Sequence, residues 1–155
     1  MNLAQFNIAE ALDSIDSPIM ADFVANVDRI NALADKSLGF VWRYDDDEGE
    51  DLFSLEAYKS KFILVNMSVW KDRTSLFDYV YKSAHVEIYK RKKEWFSKMP
   101  KMHMVLWFIE DGDIPTLNEG KQRLEYLQKH GETPYAFSFK SDFNIEDLEA
   151  FHAKK

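Results

Sequence analysis

The stretch from Phe62 to Trp70 constrains this chain more than any other. Read at period two, Ile63, Val65, Met67 and Val69 are all apolar, whereas Phe62, Leu64, Asn66, Ser68 and Trp70 mix aromatic rings with an amide and a hydroxyl. A strand with two such faces belongs in the middle of a sheet. One face is expected beneath a helix, and the other is expected to form the wall of a pocket.

Similar alternation recurs elsewhere. Leu3 to Ala9 sets Ala4, Phe6 and Ile8 against Leu3, Gln5 and Asn7, and Met102 to Ile109 separates Met102, Met104, Leu106 and Phe108 from His103, Val105, Trp107 and Ile109. Phe40 to Tyr44 reads as a short strand with Phe40, Trp42 and Tyr44 on one side, and Tyr135 to Phe139 as the last strand. A first helix is predicted from Ser17-Pro18, a capping serine followed by proline, to about Lys36, with Met20, Phe23, Val24, Val27, Ile30 and Leu33 or Ala34 as its stripe. A second runs from Thr74 toward Phe96 on Phe77, Val80, Tyr81, Ala84, Ile88 and Trp95, and Pro100 closes that region. The third opens at Thr116 with Glu119 three residues on and stops at Gly131. Between the second and third strands, Asp45 to Ser60 is acidic and weakly periodic, which predicts a long hairpin excursion.

The predicted order is β-α-β-β-α-β followed by an extra α-β. That is the order of a ferredoxin-like α+β fold, an antiparallel sheet with helices on one face only. The other face would stand uncovered and rich in aromatic residues, so two copies are expected to meet sheet to sheet as a homodimer. The 155 residues fit one domain over 1–140, with a partly helical or frayed tail over 141–155, and the 46% hydrophobic content is ample for its core.

Several function classes are excluded or disfavoured. There is no cysteine, hence no disulfide, thiolate metal site or cysteine nucleophile. A net charge of −7 argues against a general nucleic-acid or anionic-membrane binder. The basic run Lys90, Arg91, Lys92 and Lys93 falls late in a predicted helix, where cations suit the negative end of the macrodipole. No apolar run approaches the roughly 20 residues of a bilayer span, and the first residues lack the features of a signal peptide, so a soluble, cytoplasmic protein is expected. Aligning Asp45 and Asp47 with a calcium loop places Glu50 where glycine is required, and phosphate-loop, nucleophile-elbow and zincin motifs are lacking.

If the first and third strands are neighbours, Gln5 and Asn7 lie beside Asn66 and Ser68 on one face, with Trp70, His103, Trp107 and Trp42 around them. An aromatic box with convergent amides suits a small hydrophobic or aromatic molecule; the plainer alternative is a core whose polar groups satisfy one another. His85 stands at the border of the second helix stripe, four residues after Tyr81, and reads either as a hydrogen-bonded structural residue or as a general base. His103 has the same two readings. His130, beside Gly131 at a helix end, is explained by the macrodipole, and His152 lies in the tail.

The segments LAQFNIA, FVANVDRINALAD with GFVWR, LVNMSVW, DYVYKSAH followed by EWF, and HGETPYAFSF resemble the domain of unknown function 3291 family. More distantly, the chain is similar to the dimeric α+β barrel superfamily, which includes antibiotic-biosynthesis and haem-degrading monooxygenases. The resemblance implies the fold and dimerisation, and no chemistry. VWKDRTSLFDYVYKSAH also resembles the strand-to-helix passage of the haem-degrading members, which use an asparagine on the first strand and a tryptophan and histidine on this helix. Asn7 and His85 match two of those roles, whereas Tyr79 stands where the tryptophan is expected and the spacing from Trp70 to His85 is shorter.

These readings give two expectations of function. One is a small-molecule-binding barrel, monooxygenase-like without a cofactor or proton-transferring if catalytic, with His85, Asn7 and Asn66 as catalytic residues and Gln5, Ser68, Trp70, Tyr81, His103 and Trp107 lining the site. The alternative is a non-catalytic binding or stress-associated dimer, or a haem binder with His85 axial.

Overall fold

The computed structural model describes residues 1–44 and 63–154; the acidic excursion expected over 45–60 lies outside them. Strand β1 (Asn2–Glu10) pairs antiparallel with β3 (Ile63–Trp70) on one side and with β4 (Met104–Ile109) on the other. Strand β2 (Phe40–Arg43) completes a four-stranded sheet in the order β2-β3-β1-β4.

The register dictates where the helices go. β1 leaves the sheet at Glu10, opposite Ile63, but β2 enters at Phe40, opposite Trp70, so residues 11–39 must travel back along the sheet. They do so through a 3-10 turn at Pro18–Met20 and helix α1 (Ala21–Asp35). Residues 71–103 make the equivalent return from Trp70, opposite Leu3, to Met104, opposite Asn7. This return was expected as one helix, but it is three: α2 (Arg73–Lys82), α3 (His85–Lys90) and α4 (Lys92–Trp95). Ser83 is extended at φ −103° and ψ −177°, which ends α2; its hydroxyl donates to the Tyr79 carbonyl and accepts from the His85 backbone N–H, so local side-chain bonding replaces the helical ladder.

The sheet carries helices on both faces, which corrects the expectation of one covered face. Ala4, Phe6, Ile8, Met67, Val69, Val105, Trp107 and Ile109 cluster with Leu124 and Leu127 of α5 (Leu117–His130). Leu3, Trp70 and Leu106 cluster instead with Ala34 of α1 and Leu76 of α2. Helix α5 follows the βαββαβ part of the chain and returns beneath the face that was expected to be open. It lies close because Gly120 packs on the Phe6 ring, where an added Cβ would sit 2.4 Å from Phe6 Cδ2. The face on which a sheet-to-sheet dimer is expected is therefore covered by α5 over β1 and β4.

Three further local features complete the fold. A register shift between Phe40 and Trp42 sends Phe40 to the Trp70 side and Trp42 to the opposite cluster, so they do not share a face. The expected last strand is reduced to an antiparallel bridge between Leu106 and Phe137 on the outer side of β4. The tail carries helix α6 (Ile145–Ala153), held by a complete capping box between Asn144 and Asp147 and by burial of Leu148. The third helix keeps its expected limits, with Thr116 Oγ1 accepting from Glu119 N–H and Gly131 at φ 77°.

The Gly120 contact makes one prediction. Helix propensity alone would make Gly120→Ala stabilising by about 1 kcal/mol. Overpacking against Phe6 is expected to reverse the sign and cost about 1–3 kcal/mol. Urea denaturation should show a lower midpoint at unchanged slope, and a raised midpoint would mean that α5 does not rest on Phe6.

Candidate functional site

The pairing of β1 with β3 places Gln5 opposite Ser68 and Asn7 opposite Asn66, all on the face that Leu3 and Trp70 share. Gln5 is 5% exposed and Ser68 7%, and neither carries its polar group alone. The Trp70 indole N–H donates to Ser68 Oγ at 2.9 Å, the Ser68 hydroxyl donates to Gln5 Oε1 at 2.9 Å, and the Gln5 amide donates to Asn7 Oδ1 at 2.5 Å. This relay starts at a fully buried ring and ends about 13 Å along the sheet, four residues at roughly 3.3 Å each, on a half-buried amide. Asn66 beside it is exposed.

An aromatic ladder rises from the same tryptophan. Phe40 meets Trp70 edge-on at 5.4 Å, Tyr79 stacks on Trp70 at 5.1 Å, and the His85 ring lies 4.9 Å from Tyr79. Tyr79 hydroxyl donates to the Ile30 carbonyl, tying α2 to α1, and burial pushes its pKa up to about 12, against the opposing effect of Arg43. Tyr79 and His85 are six residues apart, a spacing that a continuous helix does not bring together; the break at Ser83 does. The ladder was therefore not legible from helical periodicity.

His85 is a structural residue first. Its Nδ1 lies 3.0 Å from the Val80 carbonyl, which can only accept, so Nδ1 carries the proton and Nε2 keeps its lone pair. This bond occupies a carbonyl in the last turn of α2. Burial lowers the His85 pKa below its ordinary value, partly offset by the bond to Val80, so the ring is held neutral.

Other expected members of the site lie elsewhere. Trp107 is opposite Ala4 in the register, which puts it on the α5 face behind the relay, fully buried, with the Arg123 guanidinium 5.8 Å from its ring. Its indole N–H is buried without a hydrogen-bond partner among the described residues. His103 is exposed and precedes β4, contributing its carbonyl to the Ile8 N–H. Trp42 packs with the α5 face. Tyr81 is 36% exposed in an outer cluster with Phe77, Tyr89 and Phe139, where burial and then Tyr89 raise its pKa. The error over Trp107 has a physical origin: β4 is apolar on both sides, so its alternation has no polar residue to phase it against Gln5 and Asn7.

Two predictions follow from these bonds. Ser68→Ala leaves the Trp70 N–H and Gln5 Oε1 unpaired in the core and is expected to cost about 1–3 kcal/mol, whereas exposed Asn66→Ala should stay within about 0.5 kcal/mol. Chemical denaturation distinguishes them, and equal effects would dismiss the relay. For His85, the unfolded ring takes a proton near pH 6.5 while the folded ring resists it. Folding stability should therefore be intact above that pH and decline as pH falls from 7 toward 5, and His85→Gln should flatten the decline. An unchanged pH profile in the variant would mean that His85 is not held neutral.

No helix among the described residues is long and apolar enough to cross a membrane. No curated protein matches this chain. Among solved structures, the chain is similar to NE2512, a protein of unknown function from Nitrosomonas europaea, at 13% identity over 74% of this chain and 95% of that one, with a TM-score of 0.49. Residues 2–153 match the profile of the domain of unknown function DUF3291, which spans nearly the whole chain, and the protein belongs to that family.

Proposed function

We propose that this protein binds a small molecule with an apolar or aromatic body on the sheet face of Gln5, Asn7, Asn66 and Ser68, under the helical layer of α1, α2 and α3. The observation that carries this reading is the relay from Trp70 through Ser68 and Gln5 to Asn7. Apolar residues would fill a plain core at lower risk, because each buried polar group costs about 1–3 kcal/mol when it loses its partner. A satisfied chain that surfaces at a half-exposed amide instead holds that amide in one orientation, which is what a recognition group needs.

The chemistry open to such a site is orientation of a ligand oxygen by Asn7 and Asn66 and acceptance of a proton by His85 Nε2. His85 stands one ring away from Trp70, which supports including it in the same site. Proton transfer or a cofactor-independent oxygenation would need that nitrogen as base, and its held neutrality suits the role.

The βαββαβ order and the strand order β2-β3-β1-β4 support a ferredoxin-like reading of the first 109 residues, and with it membership of the dimeric α+β barrels. A second reading, a non-catalytic dimer, is favoured by the outer cluster of Phe77, Tyr81, Tyr89 and Phe139. Tyr81 and Tyr89 are exposed there, with Lys92 Nζ 4.2 Å from the Tyr89 ring. Since α5 covers β1 and β4 on the other face of the sheet, this surface is a second candidate for self-association.

Native mass spectrometry with an ultraviolet-visible spectrum of the protein as purified tests both readings. A bound small molecule that is lost in Ser68→Ala supports the site. A ligand-free dimer that dissociates in Tyr81→Glu supports the second reading, and a ligand-free monomer whose melting temperature no aromatic compound shifts overturns both.

A further inference from the structure

We infer that the site recognises its ligand through a hydrogen-bond acceptor on the ligand, a carbonyl or carboxylate oxygen, and that Asn7 Nδ2 is the group that reads it. This inference rests on the binding site proposed above and follows from the polarity of the relay. The Trp70 indole N–H donates to Ser68 Oγ, and the single Ser68 hydroxyl proton is given to Gln5 Oε1, which faces it. Gln5 receives that proton on Oε1, which settles which way its amide is turned and aims Nε2 at Asn7. Asn7 must then present Oδ1 to Gln5, since turning it over would set donor against donor. Its Nδ2 is left facing away from the relay, and no partner for it is present among the described residues.

Four side chains thus donate in one direction, from the buried end outward, and the exposed end of the relay presents a donor. Asn66, exposed and opposite Asn7, has no such lock, so its amide can present either edge. A ligand group that only donates, such as an ammonium, meets a donor at Asn7 and is disfavoured; an oxygen acceptor is matched. The half-buried setting strengthens the choice, because water competes less there than at an open surface.

Three probes of similar size separate the possibilities: acetophenone, which offers an acceptor; benzylammonium, which offers donors; and toluene, which offers neither. With the protein labelled with 15N, titration at millimolar probe should move the Asn7 side-chain amide signals with acetophenone, which should bind at least tenfold more tightly than benzylammonium. Asn7→Asp keeps an oxygen for Gln5 to donate to but replaces the outward amide by an acceptor, and it should invert the preference. Were that variant to fold poorly, the amide signals of the wild-type protein still give the answer. Equal binding of all three probes, or a preference for benzylammonium, overturns the inferred polarity while leaving a binding site in place. If none of the three binds or moves an amide on this face, the binding site fails and the inference fails with it.

Discussion

The antiparallel pairing of β1 with β3, in the register that sets Leu3 against Trp70 and Glu10 against Ile63, is the constraint on which the rest depends. Because side chains alternate with a period of two, this pairing sorts every residue of the two central strands between faces, and a slip of one residue would exchange them all. It brings Gln5 to Ser68 and Asn7 to Asn66, and it delivers Ala4, Phe6 and Ile8 to α5. It also fixes the ends from which the two helical returns must start, and α1 and α2 make those returns over the Trp70 face.

Trp70 is where the two halves of the candidate site meet. Its ring carries the stack of Tyr79 and the edge of Phe40, while its nitrogen begins the polar relay. The ladder reaches His85 only because α2 stops at Ser83. The broken helix is thus part of the site's construction, with the Ser83 hydroxyl and the His85 ring occupying the carbonyls that the break releases. One imidazole both repairs a helix end and keeps a basic nitrogen available.

Legibility followed chemical contrast. Strand β1 could be read correctly on both faces because Gln5 and Asn7 alternate with Ala4, Phe6 and Ile8. The meeting of Gln5, Asn7, Asn66 and Ser68 was foreseen for the same reason. Helix α5 was bounded by Thr116, Glu119 and Gly131, residues whose side chains or backbone freedom act locally. Where contrast was missing, the reading failed. Trp107 lies in a strand apolar on both faces, Trp42 follows an irregularity in a short edge strand, and the break after Lys82 sits inside a continuous apolar stripe. The capping pair Asn144 and Asp147 was present in the chain all along and makes α6 an ordered helix at the tail.

By itself the sequence determined the type and approximate extent of the main elements, the polar character of one sheet face, and the absence of cysteine chemistry. These properties depend on residues within a few positions of one another. Only the tertiary structure decided which face α5 covers, on which side Trp107 falls, and in which direction the relay from Trp70 to Asn7 donates. Each of those is a relation between segments far apart in the chain, set by strand register and by a glycine that lets a helix approach Phe6. Periodicity assigns a residue to one of two faces; it takes the packed sheet to say which face is which.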